Sequence, residues 1–477
     1  MSPIAAPRRA YVETYGCQMN ISDGELMEGI LEEGGYTIVG APEDADVVLV
    51  NTCAVREHAE TRVLGRVAQL NGLKRERPDV IIGVTGCMAQ RMGETLLERA
   101  PYVDMVVGPD GYRGLPDALA RLEEGGRRAP GTVARRAPGT VARPAPGPVA
   151  RRRGRQLAVL DLRLGENYQG LEQRRADGPS AWVPIQRGCD HRCTFCIVPY
   201  VRGPEKNRSA KDVLAEVRSL AAGGVSEVTL LGQTVNSYVW EDVSFPDLVR
   251  DVARVDGIRR VRFMSPHPND VSERLVEVMA EEPAVCEHLH LPAQSGNDRT
   301  LRRMLRRYTV EALLRKVELV RAAIPDIALS TDIIVAFPGE TEEEFRDTLD
   351  LMRTVRFDEA YTYKYSAREG TPATRLPERD FVEPRVAQAR LEELIEVSRA
   401  IQAESNASEV GRTEEVLIEK VARDPGQLLG RTRRNKVVVF DGRAERVGAY
   451  ARVVLERTTG ATFAGVEAAL TAVAAGS

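Results

Sequence analysis

Cys189-Asp190-His191-Arg192-Cys193-Thr194-Phe195-Cys196 places three thiols within eight residues, spaced Cys-x3-Cys-x2-Cys. Thiolates so spaced hold three irons of a 4Fe–4S cluster and leave the fourth iron without a protein ligand. An open iron is what S-adenosylmethionine needs to chelate through its amino and carboxylate groups. Reducing such a cluster then cleaves the sulfonium and gives a 5′-deoxyadenosyl radical. A zinc site with His191 as fourth ligand uses the same spacing. The motif follows an expected strand at the start of a β/α segment, which matches the active-site end of a barrel and favours the radical chemistry.

Three further cysteines are far apart in sequence. Cys17, Cys53 and Cys87 each follow an expected strand directly, in Thr14-Tyr15-Gly16-Cys17, Val50-Asn51-Thr52-Cys53 and Thr85-Gly86-Cys87. One βα unit is about 30 residues or more, so the spacing is one unit each time. The carboxyl ends of neighbouring parallel strands share one edge, where open α/β sheets bind ligands. Helix N-termini at that edge favour an anionic group. The expectation is a second three-cysteine iron–sulfur cluster; three buried apolar thiols are the alternative. Cys286 has no sequence partner and reads as a core thiol. His288 and His290 alternate on one strand face, which permits a ligand pair or a packed, hydrogen-bonded pair. Gln233, ending the second barrel strand, and Asp332, in the fifth, are candidate S-adenosylmethionine contacts, with packing or hydrogen bonding as the alternative.

The elements that must position these residues follow from apolar periodicity. Strands are expected at Ala10–Tyr15, Asp46–Asn51, Val80–Thr85 and Val103–Val107, with a helix from Ser22 to Glu33. Strands alternating with helices imply a parallel sheet. From Arg127 the sequence repeats RRAPGTVA twice and then RPAPGPVA, with nine Arg and no acidic residue through Arg155. Pro and Gly in every repeat forbid a helix, so 127–155 reads as a linker. Six further strands are expected: Trp182–Gln186, Glu227–Leu231, Ile258–Met264, Glu287–Leu291, Ala328–Ala336 and Ala360–Tyr365. Helices, among them Ala210–Ala222 and Thr341–Thr354, separate them. Six βα units suit a partial barrel rather than a complete eight-fold one. A charged helix from Glu383 to about Ser405 leads to four short strands, Glu414–Val421, Gln427–Arg431, Lys436–Phe440 and Ala451–Glu456, which read as a small β-barrel.

The fold class is therefore α/β, with domains at 1–126, 175–405 and 406–472 around the 127–155 linker. At 477 residues, about three domains of roughly 150 fit the length. The composition, 43% hydrophobic and 29% charged, excludes a fibrous or disordered chain. A net charge of −4 gives no global signal for nucleic acid, so any RNA contact must come from a local patch. Seven cysteines are too few for a disulfide scaffold. No apolar run approaches the roughly 18 residues of a membrane helix, and the N-terminus lacks a signal core. A soluble cytoplasmic protein is expected.

The chain resembles the methylthiotransferases of the radical S-adenosylmethionine superfamily. The matching phrases are YGCQMN (Tyr15–Asn20), NTCAVREHAETR (Asn51–Arg62), GCMAQR (Gly86–Arg91), QRGCDHRCTFCIVPYVRG (Gln186–Gly203), LLGQTVNSY (Leu230–Tyr238), HLHLPAQSG (His288–Gly296) and STDIIVAFPGETEEEF (Ser330–Phe345). Gln18-Met19-Asn20 after Cys17 and Ala54-Val55-Arg56-Glu57 after Cys53 favour the branch acting on isopentenyladenosine in tRNA. The resemblance implies insertion of a methylthio group at carbon 2 of N6-isopentenyl(dimethylallyl)adenosine next to the anticodon. Sister branches act on threonylcarbamoyl-adenosine or on a ribosomal-protein aspartate. It implies two 4Fe–4S clusters, at Cys17, Cys53 and Cys87 and at Cys189, Cys193 and Cys196, with S-adenosylmethionine as cofactor. It also implies an electron donor such as flavodoxin or ferredoxin, and a monomer. The C-terminal barrel resembles a TRAM domain, an RNA-binding module, whose basic loop here offers Arg431, Arg433, Arg434 and Lys436 to phosphate. Thr234, Ala293 and Ala336 stand where the family has Asn, Val and Gly.

Overall fold

The computed structural model describes residues 7–54, 57–127, 151–153, 156–171, 173–175 and 178–468. The chain forms two compact units. The first comprises Met1–Ala176, Arg187–Asp190 and Ile197–Lys206; the second comprises Asp177–Gln186, His191–Cys196 and Asn207–Ser477.

In the first unit a sheet is built from β1 (Arg9–Thr14), β2 (Thr37–Ile38), β3 (Val47–Thr52), β4 (Ile81–Gly86), β5 (Met105–Val107), β6 (Arg151–Arg153) and β7 (Gln156–Val159). Their order is β2-β1-β3-β4-β5-β7-β6. All ladders are parallel except β6 on β7. Every residue of β3 and β4 is buried, as helices on both faces of a parallel sheet require. Leu26, Met27, Leu31 and Leu119 pack one side; Val63, Val67, Leu70 and Leu96 pack the other. The four expected strands are present within two residues. The expected 127–155 linker is shorter at its end, because Arg151–Arg153 pair with β7 at the sheet edge. Residues 128–150 and 154–155 lie outside the described residues.

In the second unit all six expected strands form: β8 (Ser180–Pro184), β9 (Glu227–Leu231), β10 (Arg260–Phe263), β11 (His288–His290), β12 (Ala328–Val335) and β13 (Glu359–Lys364). They make two three-stranded parallel sheets, β10-β9-β8 and β11-β12-β13. A parallel bridge from Val261 to Val285 links the two series. Strand order follows chain order, as in a partial (β/α) barrel. The core joins strand residues such as Val228, Leu230, Leu289 and Leu329 to Val213, Leu248, Leu313 and Phe345 on the covering helices.

A closed barrel ends the chain: β14 (Thr413–Val421), β15 (Gln427–Thr432), β16 (Val437–Asp441), β17 (Tyr450–Thr458) and β18 (Thr462–Glu467), in the order β14-β15-β16-β18-β17. Alternate residues Val416, Ile418, Leu428, Val438, Phe440, Val453, Leu455 and Phe463 fill it. Four of its strands were expected; β18 closes the barrel through a parallel pairing with β16.

Ala336, just after β12, has φ +58. The left-handed region costs an L-residue with a Cβ about 1–2 kcal/mol, which fits the expectation of glycine at this position. Ala336→Gly is expected to stabilise the chain by about 1 kcal/mol net of glycine's entropy. A thermal unfolding midpoint unchanged or lowered contradicts this.

Candidate metal centres

β1, β3 and β4 are neighbours, and their carboxyl ends are level: Thr14 pairs with Asn51, Asn51 with Thr85, and Thr52 with Gly86. Cys17 caps the N-terminus of α1 (Gln18–Glu33), Cys53 follows β3, and Cys87 opens α2 (Cys87–Met92). Helix α1 starts four residues earlier than expected, which places Cys17 at its first turn. Glycines permit the approach. A Cβ on Gly16 (φ +137) would stand 2.7 Å from Cys53 Cβ, and one on Gly86 (φ +93) 2.4 Å from Thr52 O. Cys53 and Cys87 are buried, and none of the seven cysteines is disulfide-bonded. A hydrogen bond between the Cys17 and Cys53 thiols, outweighing burial and helped by Arg202, brings Cys17 down to about 6. Burial pushes the Cys87 thiol up against the pull of Arg202. The three cysteines thus converge as their placement after the strands implies.

Sequence reasoning missed the polar shell around them. Arg202 Nε donates to Cys87 Sγ at 3.1 Å, and its Nη2 donates to Asp23 Oδ2 at 2.7 Å. Arg187 Nη1 donates to Asp23 Oδ1 at 2.6 Å. Burial would raise the Asp23 carboxyl, but the two guanidinia outweigh it and hold it below its usual range. Asn51 Nδ2 donates to Asn20 O at 2.7 Å. A signal existed: Cys17, Asn20 and Asp23 recur every three residues at the start of α1, one helical face.

In the second unit, Cys193 Sγ accepts from Arg306 Nη1 at 3.4 Å. Arg306 is held by Tyr308 Oη at 3.1 Å and Pro292 O at 3.3 Å. Thr194 N donates to Met304 O at 3.0 Å and its Oγ1 to Arg303 O at 2.9 Å, which fixes the loop between Cys193 and Cys196. His191 lies against His267 instead, with ring centroids 4.0 Å apart and planes 9° from parallel. Its Nε2 is 3.5 Å from Asp270 Oδ2. Imidazole lone pairs lie in the ring plane, so two stacked rings do not aim at one metal. Burial, with Arg306 and His191 alongside, pushes His267 down to about 2, so it is neutral.

Orphaned acceptors mark the strand ends. Gln233 Oε1, two residues past β9, and Gln294 Oε1, which follows β11, are buried with no hydrogen-bond partner among the described residues. Such atoms suit a polar ligand with N–H donors, and S-adenosylmethionine carries amino groups. Gln294 was not foreseen; its left-handed φ of +66 sets it apart. Asp332 Oδ2 is 3.3 Å from His290 Nε2. His290 Nδ1 and His288 Nε2 share Ser330 Oγ at 2.9 and 3.1 Å. Both histidines are therefore hydrogen-bonded, through Ser330 rather than to each other. Cys286 is buried, as a core thiol should be.

The basic loop of the small barrel turns inward. Arg433 grips Glu287 at 2.7 Å and Val285 O at 2.6 Å. Arg434 reaches Glu409 at 2.7 Å and Glu414 at 2.8 Å. Lys436 reaches Asp358 at 2.9 Å and Asn406 at 2.8 Å, and Arg431 reaches Glu419 at 3.1 Å. In return, Arg260 and Arg262 of β10 donate to the carbonyls of Arg431, Thr432 and Arg433 at 2.7–2.8 Å. All four side chains expected on phosphate have partners within the chain.

Three family models match. The uncharacterized protein family UPF0004 covers residues 9–108, the radical SAM superfamily 183–352 and the TRAM domain 407–464. The tRNA-2-methylthio-N(6)-dimethylallyladenosine synthase of Carboxydothermus hydrogenoformans is 43% identical over 94% of this chain and 96% of its own. Its namesake from Cereibacter sphaeroides is 42% identical over 96% and 98%. The chain belongs to this methylthiotransferase family. Among solved structures, the radical S-adenosylmethionine methyltransferase TsrM of Kitasatospora setae, with cobalamin and a 4Fe–4S cluster bound, shares the fold. The TM-score is 0.56 at 15% identity, over 89% of this chain and 80% of that one. No described helix is long and apolar enough to cross a membrane.

Proposed function

We infer that this methylthiotransferase inserts a methylthio group at carbon 2 of N6-dimethylallyladenosine next to the tRNA anticodon. The observation that carries the reading is the convergence of Cys17, Cys53 and Cys87 on adjacent strand ends in a chain that also bears the Cys189–Cys193–Cys196 motif. When bound, a reduced cluster and S-adenosylmethionine would supply a carbon radical able to attack an unactivated aromatic C–H bond, and the second cluster would be the site of sulfur delivery. The chain's own part is to hold each cluster by three thiolates and leave one iron open. Gln233 and Gln294 offer buried acceptors to S-adenosylmethionine, with Asp332 oriented by His290. An anticodon-loop base is single-stranded and can be splayed into a pocket. A one-electron donor such as flavodoxin or ferredoxin is required. The names of the relatives favour the dimethylallyladenosine substrate over those of the sister branches. Mass spectrometry of nucleosides from a strain lacking the gene tests this: only the methylthio derivative of dimethylallyladenosine should vanish. Loss of a different product overturns the assignment.

Because the four loop cations face carboxylates or amide oxygens, phosphate contacts fall to exposed cations elsewhere on the barrel. Lys420, Arg423, Arg443, Arg452 and Arg457 are exposed with no carboxylate partner among the described residues. Each that binds phosphate should reduce the salt slope of tRNA affinity by about one when replaced by Ala. Arg433→Ala should instead cost about 1–2 kcal/mol of stability, since Glu287 loses a forked partner. Filter binding across a salt series and thermal unfolding separate these outcomes. A slope change at Arg433 without destabilisation returns the phosphate role to the loop.

A further inference from the structure

The three convergent thiols sit beside more positive charge than the nearby carboxylates balance. Asp23, fully buried, is shared by two guanidinia whose side chains are each 4% exposed, Arg187 and Arg202. The Lys206–Asp110 pair, at 2.6 Å, is balanced within itself. One carboxylate against two guanidinia leaves one positive charge, and a buried charge is unfavourable without a counter-ion. Arg187 Nη2 and Arg202 Nη1 are moreover buried with no hydrogen-bond partner among the described residues. Arg202 Nε already donates to Cys87 Sγ. Arg202 lies six residues beyond Cys196 in the chain, so the segment carrying the radical-site cysteines also supplies this guanidinium.

A 4Fe–4S cluster in its 2+ state on three thiolates carries one net negative charge, which matches the charge left over. Adding an electron makes it two, and nearby charge and hydrogen bonds to sulfur set how readily that happens. We propose that Arg202 is a positioning residue of the auxiliary centre, supplying the counter-charge of a cluster on Cys17, Cys53 and Cys87 and thereby setting its reduction potential. The proposal rests on reading these cysteines as cluster ligands.

The test uses the full chain with Cys189, Cys193 and Cys196 all changed to Ala, reconstituted with iron and sulfide without oxygen. Iron content and an EPR-monitored redox titration are read. In that background Arg202→Gln is expected to retain about four irons. At a fixed potential its ratio of reduced to oxidised cluster should fall about tenfold, a 59 mV shift for one electron. Arg202→Lys keeps the charge and should restore the ratio to within about threefold of the parent. Asp23→Asn removes the opposing charge and should raise the ratio. Opposite signs are the decisive signature, because mere loosening of the site moves both variants the same way. Unmoved potentials, or shifts of one sign, overturn the proposal. If Arg202→Gln holds no iron, Arg202→Lys takes its place: a ratio within about threefold of the parent, with Asp23→Asn above the parent, is expected, and any other pair of results overturns the proposal. A parent that binds no iron refutes the cluster reading and the proposal with it, whereas iron with unmoved potentials refutes the proposal alone.

Discussion

Replacing Cys53 with Ala is expected to abolish methylthiolation of tRNA while leaving S-adenosylmethionine cleavage intact. Cys53 is 2% exposed and follows β3 directly. The substitution removes one sulfur and hardly changes volume, so the sheet around it should persist. An iron at the auxiliary centre then has no ligand. Loss even of groups that merely support metal ligands costs about 10–100-fold, so loss of a ligand should exceed about 100-fold in product. Iron should fall from about eight to about four per chain. Cleavage, read as 5′-deoxyadenosine by chromatography, should stay within about twofold, because it depends on Cys189, Cys193 and Cys196. Methylthiolated tRNA from Cys53→Ala would show that the two centres do not divide the work in this way.

The convergence of Cys17, Cys53 and Cys87 was legible because it is written in strand ends. A parallel strand that is apolar on both faces, such as Val47-Val48-Leu49-Val50, is unmistakable. A residue placed straight after it has no freedom to lie elsewhere than at the sheet edge. The shell was less legible. Arg187 and Arg202 are ordinary arginines in sequence, and only the fold sets them across one buried carboxylate. The loop Gly430–Lys436 was half legible for the converse reason. Four cations in seven residues read as a phosphate site, yet their partners Glu287, Asp358 and Glu409 are remote in sequence, so charge counting within the loop missed the pairing. Strand β18 was missed because Thr462-Phe463-Ala464-Gly465-Val466-Glu467 has a central glycine, which weakens a strand's sequence signal. Its pairing with β16 is supplied by barrel closure. Arg151–Arg153 was read as linker because its composition continues that of the repeat, whereas its pairing with β7 is a backbone property that composition does not record.

Cys193→Ala should give the reverse of Cys53→Ala: no S-adenosylmethionine cleavage, hence no product, with about four irons retained at the auxiliary centre. The loss of 5′-deoxyadenosine should exceed about 100-fold. Cys193 is also the thiol that Arg306 addresses, from a position fixed by Tyr308 and Pro292. The variant therefore strands a guanidinium that is deeply buried, and it should cost stability beyond the lost ligand, about 1–3 kcal/mol. Pairing it with Arg306→Gln distinguishes the two effects. The double variant should recover part of the lost stability, because the stranded charge is gone, and none of the cleavage. Recovery of cleavage, or retention of 5′-deoxyadenosine formation in Cys193→Ala alone, would mean that the Cys-x3-Cys-x2-Cys loop does not hold the radical-generating cluster. An activity lost through misfolding alone would instead return with stability, so the separation of the two readouts makes the experiment a test of chemistry.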